Sequence, residues 1–258
     1  MHGGDRGRKW AGRGLVVAYV APLLILLVRA AADVWRAPAV LPQEWGTRAL
    51  DYVLSGSAGT LRALVTSVAV ALVATAVAVV LGWPVARRVA TLHGRAFAIG
   101  VTLVALPLLV PEFATGTGLA AWFIRLRLAD TIPGLVLAHL VYVLPYVVLL
   151  LTPGFGATVE DLEEAASAMG ADRWRRLWFV TVPAVRAPLA TAALLGFLVS
   201  LSQYGTSLAV GGGKPTLPIL LVPFVRTDPQ IAAALSAVFL IPAVAALALA
   251  TRAARQPA

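Results

Sequence analysis

Apolar runs of helix length, separated by short polar or proline-rich stretches, set the pattern of this chain. Six of them, at residues 15–32, 61–85, 96–124, 135–153, 187–210 and 231–250, carry almost no charge. A helix rises about 1.5 Å per residue, so about 20 apolar residues are needed to cross about 30 Å of hydrocarbon. Every backbone polar group must be bonded internally there, which a helix achieves on its own. The pattern therefore predicts an all-α membrane protein of about six transmembrane helices.

Local punctuation refines the spans. The third contains Pro107 and Pro111 and is expected to bend or split into two half-helices, because proline removes a backbone donor. The second runs out through Gly82, Pro84 and the Arg87–Arg88 pair. The sixth starts sharply, with Asp228 as a cap, Pro229 at the first helical position and Ile231 opening the apolar run. Residues 33–60 form the longest outer segment, with room for a short interfacial helix around 45–54. The expected organisation is an N-terminal span with its outer segment, 1–60, followed by one transmembrane domain, 61–258.

Composition and charge narrow the picture. Of 258 residues, 60% are hydrophobic and only 13% charged. Soluble domains carry about 25% charged residues, so a water-soluble fold is excluded. The net charge of +9 is dispersed between apolar spans and forms no basic arm with interleaved aromatics, which argues against nucleic-acid binding. With the N-terminus inside, 13 of the 21 Lys and Arg residues fall on the cytoplasmic side and 8 outside. An even number of spans then returns the C-terminus inside, giving a multi-pass membrane protein with both termini on the cytoplasmic side. The basic start and apolar first run also resemble a signal peptide, but Ala30-Ala31-Ala32 is a poor cleavage site, and a retained span is expected. There are no cysteines, hence no disulfide or thiolate metal site.

Enzyme motifs fail on inspection. Gly213-Lys214 is followed by Pro215, and position 208 is Leu where a phosphate loop needs Gly. Gly116-Thr117-Gly118 lies within an apolar run, not after a strand, and three scattered His make no metal constellation. No catalytic residue, metal site or bound cofactor is expected in this chain.

The most charged stretch is 160–176, within a loop spanning about 156–184. Acids at Glu160, Asp161, Glu163, Glu164 and Asp172 are followed by Arg173, Arg175 and Arg176. Thr158 with Asp161 resembles a capping box opening a helix whose Leu162, Ala165, Ala166 and Met169 share one face. Gly170 is placed to stop it, and Asp172 to cap a second short helix with Trp174, Leu177 and Trp178 along a stripe, ended by Pro183. A solvated connector would explain the charge alone. An amphipathic face kept in a loop, with small alanines allowing close approach, points also to a docking partner.

Glu164-Ala165-Ala166, Gly170 four residues after the second alanine, and, after nine intervening residues, Val180-Thr181-Val182-Pro183 resemble the EAA signature of type I, binding-protein-dependent ABC importer permeases. Val180 and Val182 stand where Ile and Leu are usual. The resemblance covers residues 61 to the C-terminus and implies that this is a non-enzymatic transport subunit. Glu160–Met169 would be a cytoplasmic coupling helix seated in a separate ABC ATPase. Glu160, Leu162, Glu164, Ala165, Ala166 and Met169 would make the contact, and Gly170 and Pro183 the turns. ATP would be used by that partner. A second permease subunit, identical or not, and an extracytoplasmic solute-binding protein would complete the assembly in the lipid bilayer of a bacterial inner membrane.

Within the spans, Glu112 reads either as a polar point on a translocation pathway, favouring a cation, or as a helix-capping carboxylate at the Pro111 break. Ser200, Gln203, Tyr204 and Ser207 follow helical spacing and either line a pathway or bond neighbouring helices. His139 reads as structural. Features of 200–228 resemble permeases for small-molecule substrates such as polyamines, thiamine, ferric iron or phosphonates. Two other classes remain, an ion-coupled secondary transporter and a membrane scaffold subunit.

Overall fold

The computed structural model describes residues 3–56 and 59–255, with side-chain environments over 14–56 and 59–253. Helix α1 (Gly3–Ala30) is followed by a two-stranded antiparallel ribbon, β1 (Ala32–Val34) with β2 (Glu44–Trp45), and by α2 (Arg48–Leu54). The interfacial helix expected around 45–54 thus begins only at Arg48, because Trp45 belongs to the ribbon, paired with Ala32. Then come α3 (Thr60–Ala90), α4 (Gly94–Ala105), α5 (Glu112–Arg125), α6 (Ile132–Leu151) and the loop helices α7 (Ala157–Ala168), α8 (Arg173–Arg176) and α9 (Val182–Ala184). The chain closes with α10 (Arg186–Ser202), α11 (Gly205–Val210), α12 (Leu217–Leu221), α13 (Phe224–Thr227) and α14 (Pro229–Arg255).

Three helical stretches are long and apolar enough to cross a membrane without interruption: Thr60–Ala90, Ile132–Gly154 and Pro229–Ala253. Two more candidates are bent, Gly94–Leu109 with Glu112–Arg125 at 84° and Arg173–Ala184 with Arg186–Ser202 at 76°. Among the described residues the count is therefore up to five, where about six were expected from the sequence. The sixth expected span falls in α1, of which Gly14–Ala30 lies among the residues with described side chains and enters that count only as a shorter apolar helix. The first bend arises where the prolines predicted it. Leu106–Leu109 tightens into a 3-10 turn, and Val110 takes the extended backbone that a following proline imposes.

The contacts of the chain group into two compact units. One comprises Met1–Leu61 and Leu220–Ile241, the other Arg62–Ile219 and Pro242–Ala258. The sequence boundary at residue 60 is close to the first junction, but the segment from Leu220 to Ile241 groups with the N-terminal part. Its core explains this: Ile231, Ala233, Ala234 and Leu235 of α14 pack with Ala30, Ala49 and Val53. Arg48 forms a two-pronged bond to Asp228, at 2.7 and 3.2 Å, and Asp228 accepts from the Ile231 N–H at 3.2 Å, as its predicted capping role requires. The hydrogen bond from Arg48 outweighs the effect of burial and lowers the Asp228 pKa.

In the second unit α6 is the central helix. Within its apolar window 61% of residues are buried, against 33% for α3, so α6 is enclosed by the chain while most of α3 is left uncovered by it. Thr131 caps α6 by accepting from the Gly134 N–H at 3.0 Å. Val143, Val147, Val148 and Leu151 of α6 pack with Ala78 and Ala86 of α3 and Ala192 of α10, and the same cluster continues into the loop through Phe155, Val159 and Val185. The transmembrane core and the charged loop therefore share one apolar cluster, which positions the site described next.

Candidate functional site

Helix α7 starts at Ala157, with Gly156 as its N-cap and no side-chain capping bond. The expected Thr158–Asp161 box is absent, because Thr158 lies one residue inside the helix. The C-terminal end is as predicted. Gly170 has φ +85°, its N–H donates to the Ser167 carbonyl at 2.9 Å, and the Ala171 N–H donates to the Ala166 carbonyl at 3.0 Å. This double closure is the Schellman turn, and it needs a residue at ease with positive φ. Asp172 then caps α8, accepting from the N–H groups of Trp174 and Arg175 at 2.9 Å each. The Arg175 N–H is the main reason its pKa lies below the usual carboxylate range.

The return path differs from the expectation that Pro183 ends it. After α8 the chain widens into a π-helical turn over Leu177–Thr181, and the Val182 N–H bonds to the Leu177 carbonyl. Pro183 sits inside the following turn, α9, and the bend into α10 comes at Val185. A proline has no N–H for the fourth carbonyl before it, and the wide turn accommodates that loss.

The faces of α7 are unequal. Glu160, Leu162, Glu164, Ala165 and Met169 are exposed, Met169 at 82% and Leu162 at 46%. Val159 and Ala166 are buried. The two alanines of the Glu-Ala-Ala therefore part company: Ala165 faces outward, whereas Ala166 packs within the chain. Trp174, Trp178 and Phe179 add exposed apolar surface on the return path. A helix with a rigidly closed end and an apolar, acid-edged outer face can receive a push and pass it on. Sequence reasoning missed Glu163, which faces inward and is bonded to Arg87 and Thr181. The signal was present in its helical spacing with Val159 and Ala166.

Inside the bundle, the predicted pathway residues are brought together, but not as one helical face. α10 ends at Ser202, Gln203 is extended, and α11 begins at Gly205, so the fifth apolar run is broken rather than continuous to Val210. Ser200, Gln203 and Ser207 are buried in the chain. His139 of α6 bridges two of them, with Nδ1 2.8 Å from Ser200 Oγ and Nε2 2.9 Å from Ser207 Oγ. Thr206 Oγ1 donates to Gln203 Oε1 at 2.6 Å, and Ser207 Oγ to the Gln203 carbonyl at 2.7 Å. The His139 bonds tie α6 to α10 and α11; Tyr204 alone of the four is only half-buried.

Glu112 occupies the matching break. Its Oε1 accepts from the Gly205 N–H at 3.0 Å and, more weakly, from the Thr206 N–H at 3.5 Å, with Thr206 Oγ1 3.4 Å away. The carboxylate thus caps α11 from across the bundle, satisfying donors that a helix start leaves open. Tyr142 Oη donates to the Val110 carbonyl at 2.8 Å and lies 2.7 Å from Thr115 Oγ1, securing the first break to α6. Glu112→Ala leaves the α11 N–H groups without an acceptor and is expected to cost about 1–3 kcal/mol of stability. Glu112→Gln keeps a carbonyl acceptor and costs less. Thermal unfolding of both in detergent checks this, and equal losses would remove the capping role.

A family model described as "Binding-protein-dependent transport system inner membrane component" matches residues 59–255. The molybdenum transport system permease protein ModB of Mycobacterium tuberculosis is 32% identical over 211 residues, covering 76% of this chain and 79% of that protein. The molybdate/tungstate transport system permease protein WtpB of Thermococcus kodakarensis is 26% identical over 210 residues, covering 81% and 79%. A solved bacterial ABC transporter that imports the acidic polysaccharide alginate aligns with TM-score 0.72 over 98% of both chains at 15% identity, a likeness of fold.

Proposed function

The chain belongs to the binding-protein-dependent transport system inner membrane component family, the permeases of ABC importers, and from that premise we propose that it forms half of an ATP-driven translocation pathway. In this reading α7 docks in a separate ABC ATPase subunit on the cytoplasmic side, and a second permease subunit completes the pore. An extracytoplasmic binding protein delivers the solute. The observation that carries the proposal is the outer face of α7, where Leu162, Glu164, Ala165 and Met169 stand exposed on a helix locked at its end by Gly170. Movement of such a lever by ATP-driven closure of the ATPases would switch the bundle between two arrangements.

For the cargo we propose a tetrahedral metal oxyanion, on the strength of the relatives named for molybdenum and molybdate/tungstate transport. The polyamine, thiamine, ferric iron and phosphonate group suggested by the sequence finds no support among these relatives. Glu112, from which the lean towards a cation came, is bonded through Oε1 to Gly205 and Thr206.

The test is to co-express the chain with an ABC ATPase and its binding protein, purify the complex and reconstitute it in liposomes. ATP-dependent accumulation of molybdate or tungstate is expected. Accumulation that persists on an ion gradient without ATP would identify a secondary transporter. Failure to co-purify with any ATPase would leave a scaffold role.

A further inference from the structure

Four acids lie along α7, and one of them behaves differently. Glu160, Asp161 and Glu164 are exposed, whereas the Glu163 side chain retains 12% of its accessible surface. Helical spacing explains its orientation, because Val159, Glu163 and Ala166 recur at i, i+4 and i+7 and form the face that turns into the chain. A carboxylate on an inward face is costly unless it is paired and hydrogen-bonded.

Glu163 is both. Arg87 Nη1 donates to its Oε1 at 3.0 Å, Arg87 Nη2 donates to Oε2, and Thr181 Oγ1 donates to Oε1. Partial burial opposes the ionised form. The bonds from Arg87 and Thr181 and the charges of Arg87 and Arg176 outweigh it, and the pKa lies below the usual value. The carboxylate is therefore charged at neutral pH.

Its partners sit on two other elements. Arg87 is in the last turn of α3, a membrane span. Thr181 closes the π-helical turn that leads through α9 into the 76° bend and α10. A guanidinium–carboxylate fork fixes direction as well as distance, which suits the transfer of a displacement better than a single contact.

We infer that Glu163 is a positioning residue for energy coupling: through Arg87 and Thr181 it ties α7 to α3 and to the root of α10, so that a push on the outer face of α7 moves both spans together. The inference rests on the importer reading above. Without the fork, the inward face of α7 would keep only its buried apolar residues, Val159 and Ala166, which carry no directional bond between side chains.

The experiment measures uptake and ATP hydrolysis side by side in proteoliposomes holding the whole complex. Wild type is measured first: absence of ATP-dependent uptake there would end the importer reading, whatever Glu163 does. With wild type coupled, Glu163→Gln and Arg87→Gln should assemble normally and keep hydrolysis within about twofold, while uptake per ATP falls about tenfold, within the usual span of coupling energies. Exchanging the pair, Arg87→Glu with Glu163→Arg, should recover a substantial part of that loss. Wild-type uptake per ATP in Glu163→Gln overturns the inference. So does loss of the complex in Glu163→Gln, which would assign the pair to assembly, and so does an exchanged pair no better than the single variants.

Discussion

Gly170→Pro is expected to abolish ATP-dependent uptake while the chain still reaches the membrane. Proline holds φ near −65°, whereas Gly170 sits at +85°, and the Gly170 N–H that closes on the Ser167 carbonyl is lost as well. A misplaced proline costs about 3 kcal/mol or more, which reduces the population with a correctly formed turn by about a hundredfold. The consequence is geometric. Asp172 caps α8 two residues later, so re-aiming the turn carries α8, the π turn and Thr181 away from α7. None of the candidate spans contains Gly170 itself, so insertion is spared. Gly170→Asn, a side chain that tolerates positive φ, is expected to retain most of the transport. Proteoliposome uptake, normalised to the amount of chain extracted from membranes, checks the pair. Unimpaired uptake in Gly170→Pro would remove the turn from the mechanism.

What the sequence disclosed and what it withheld divide along a physical line. Features fixed by neighbours in the chain were legible. Apolar length located the uninterrupted spans, Pro107 and Pro111 marked the first break, Gly170 the Schellman turn, and Asp172 and Asp228 their caps. Features made by distant partners were not. The break after Ser202 depends on a carboxylate 93 positions before Gly205, and periodicity read through it as one helix. The role of Glu163 depends on Arg87, 76 residues earlier, and Thr181, 18 residues later. The polar residues from Ser200 to Ser207 were recognised as unusual, yet nothing in the sequence placed His139 between Ser200 and Ser207. The identity of Pro183 was read correctly as a helix-breaking group, but the chain absorbed it in a π turn and bent at Val185 instead.

The crossing of α5 and α11 yields the second large effect, and it separates two glycines that the sequence treats alike. A Cβ added at Gly116 would lie 2.9 Å from the Ala209 Cβ and 3.0 Å from the Gly205 carbonyl oxygen and the Thr206 Cα. Two of these three atoms are backbone and have no rotamer by which to move aside. A Cβ added at Gly118, on the same helix, would meet nothing within 4 Å. Gly116→Leu must therefore push α11 away from α5, and overpacking of this kind costs about 1–3 kcal/mol or more. The displacement would also pull Gly205 and Thr206 from Glu112, adding about 1–3 kcal/mol for donors left unsatisfied. The sum is of the order of 4 kcal/mol, which for a chain of this size corresponds to a melting temperature lower by about 8–16 °C. Gly118→Leu should shift it by no more than about 2 °C, as surface substitutions do. Unfolding of both variants in the same detergent decides the matter. Equal shifts would mean that α5 and α11 do not meet at Gly116, and the cap that Glu112 provides to α11 would lose its geometric basis.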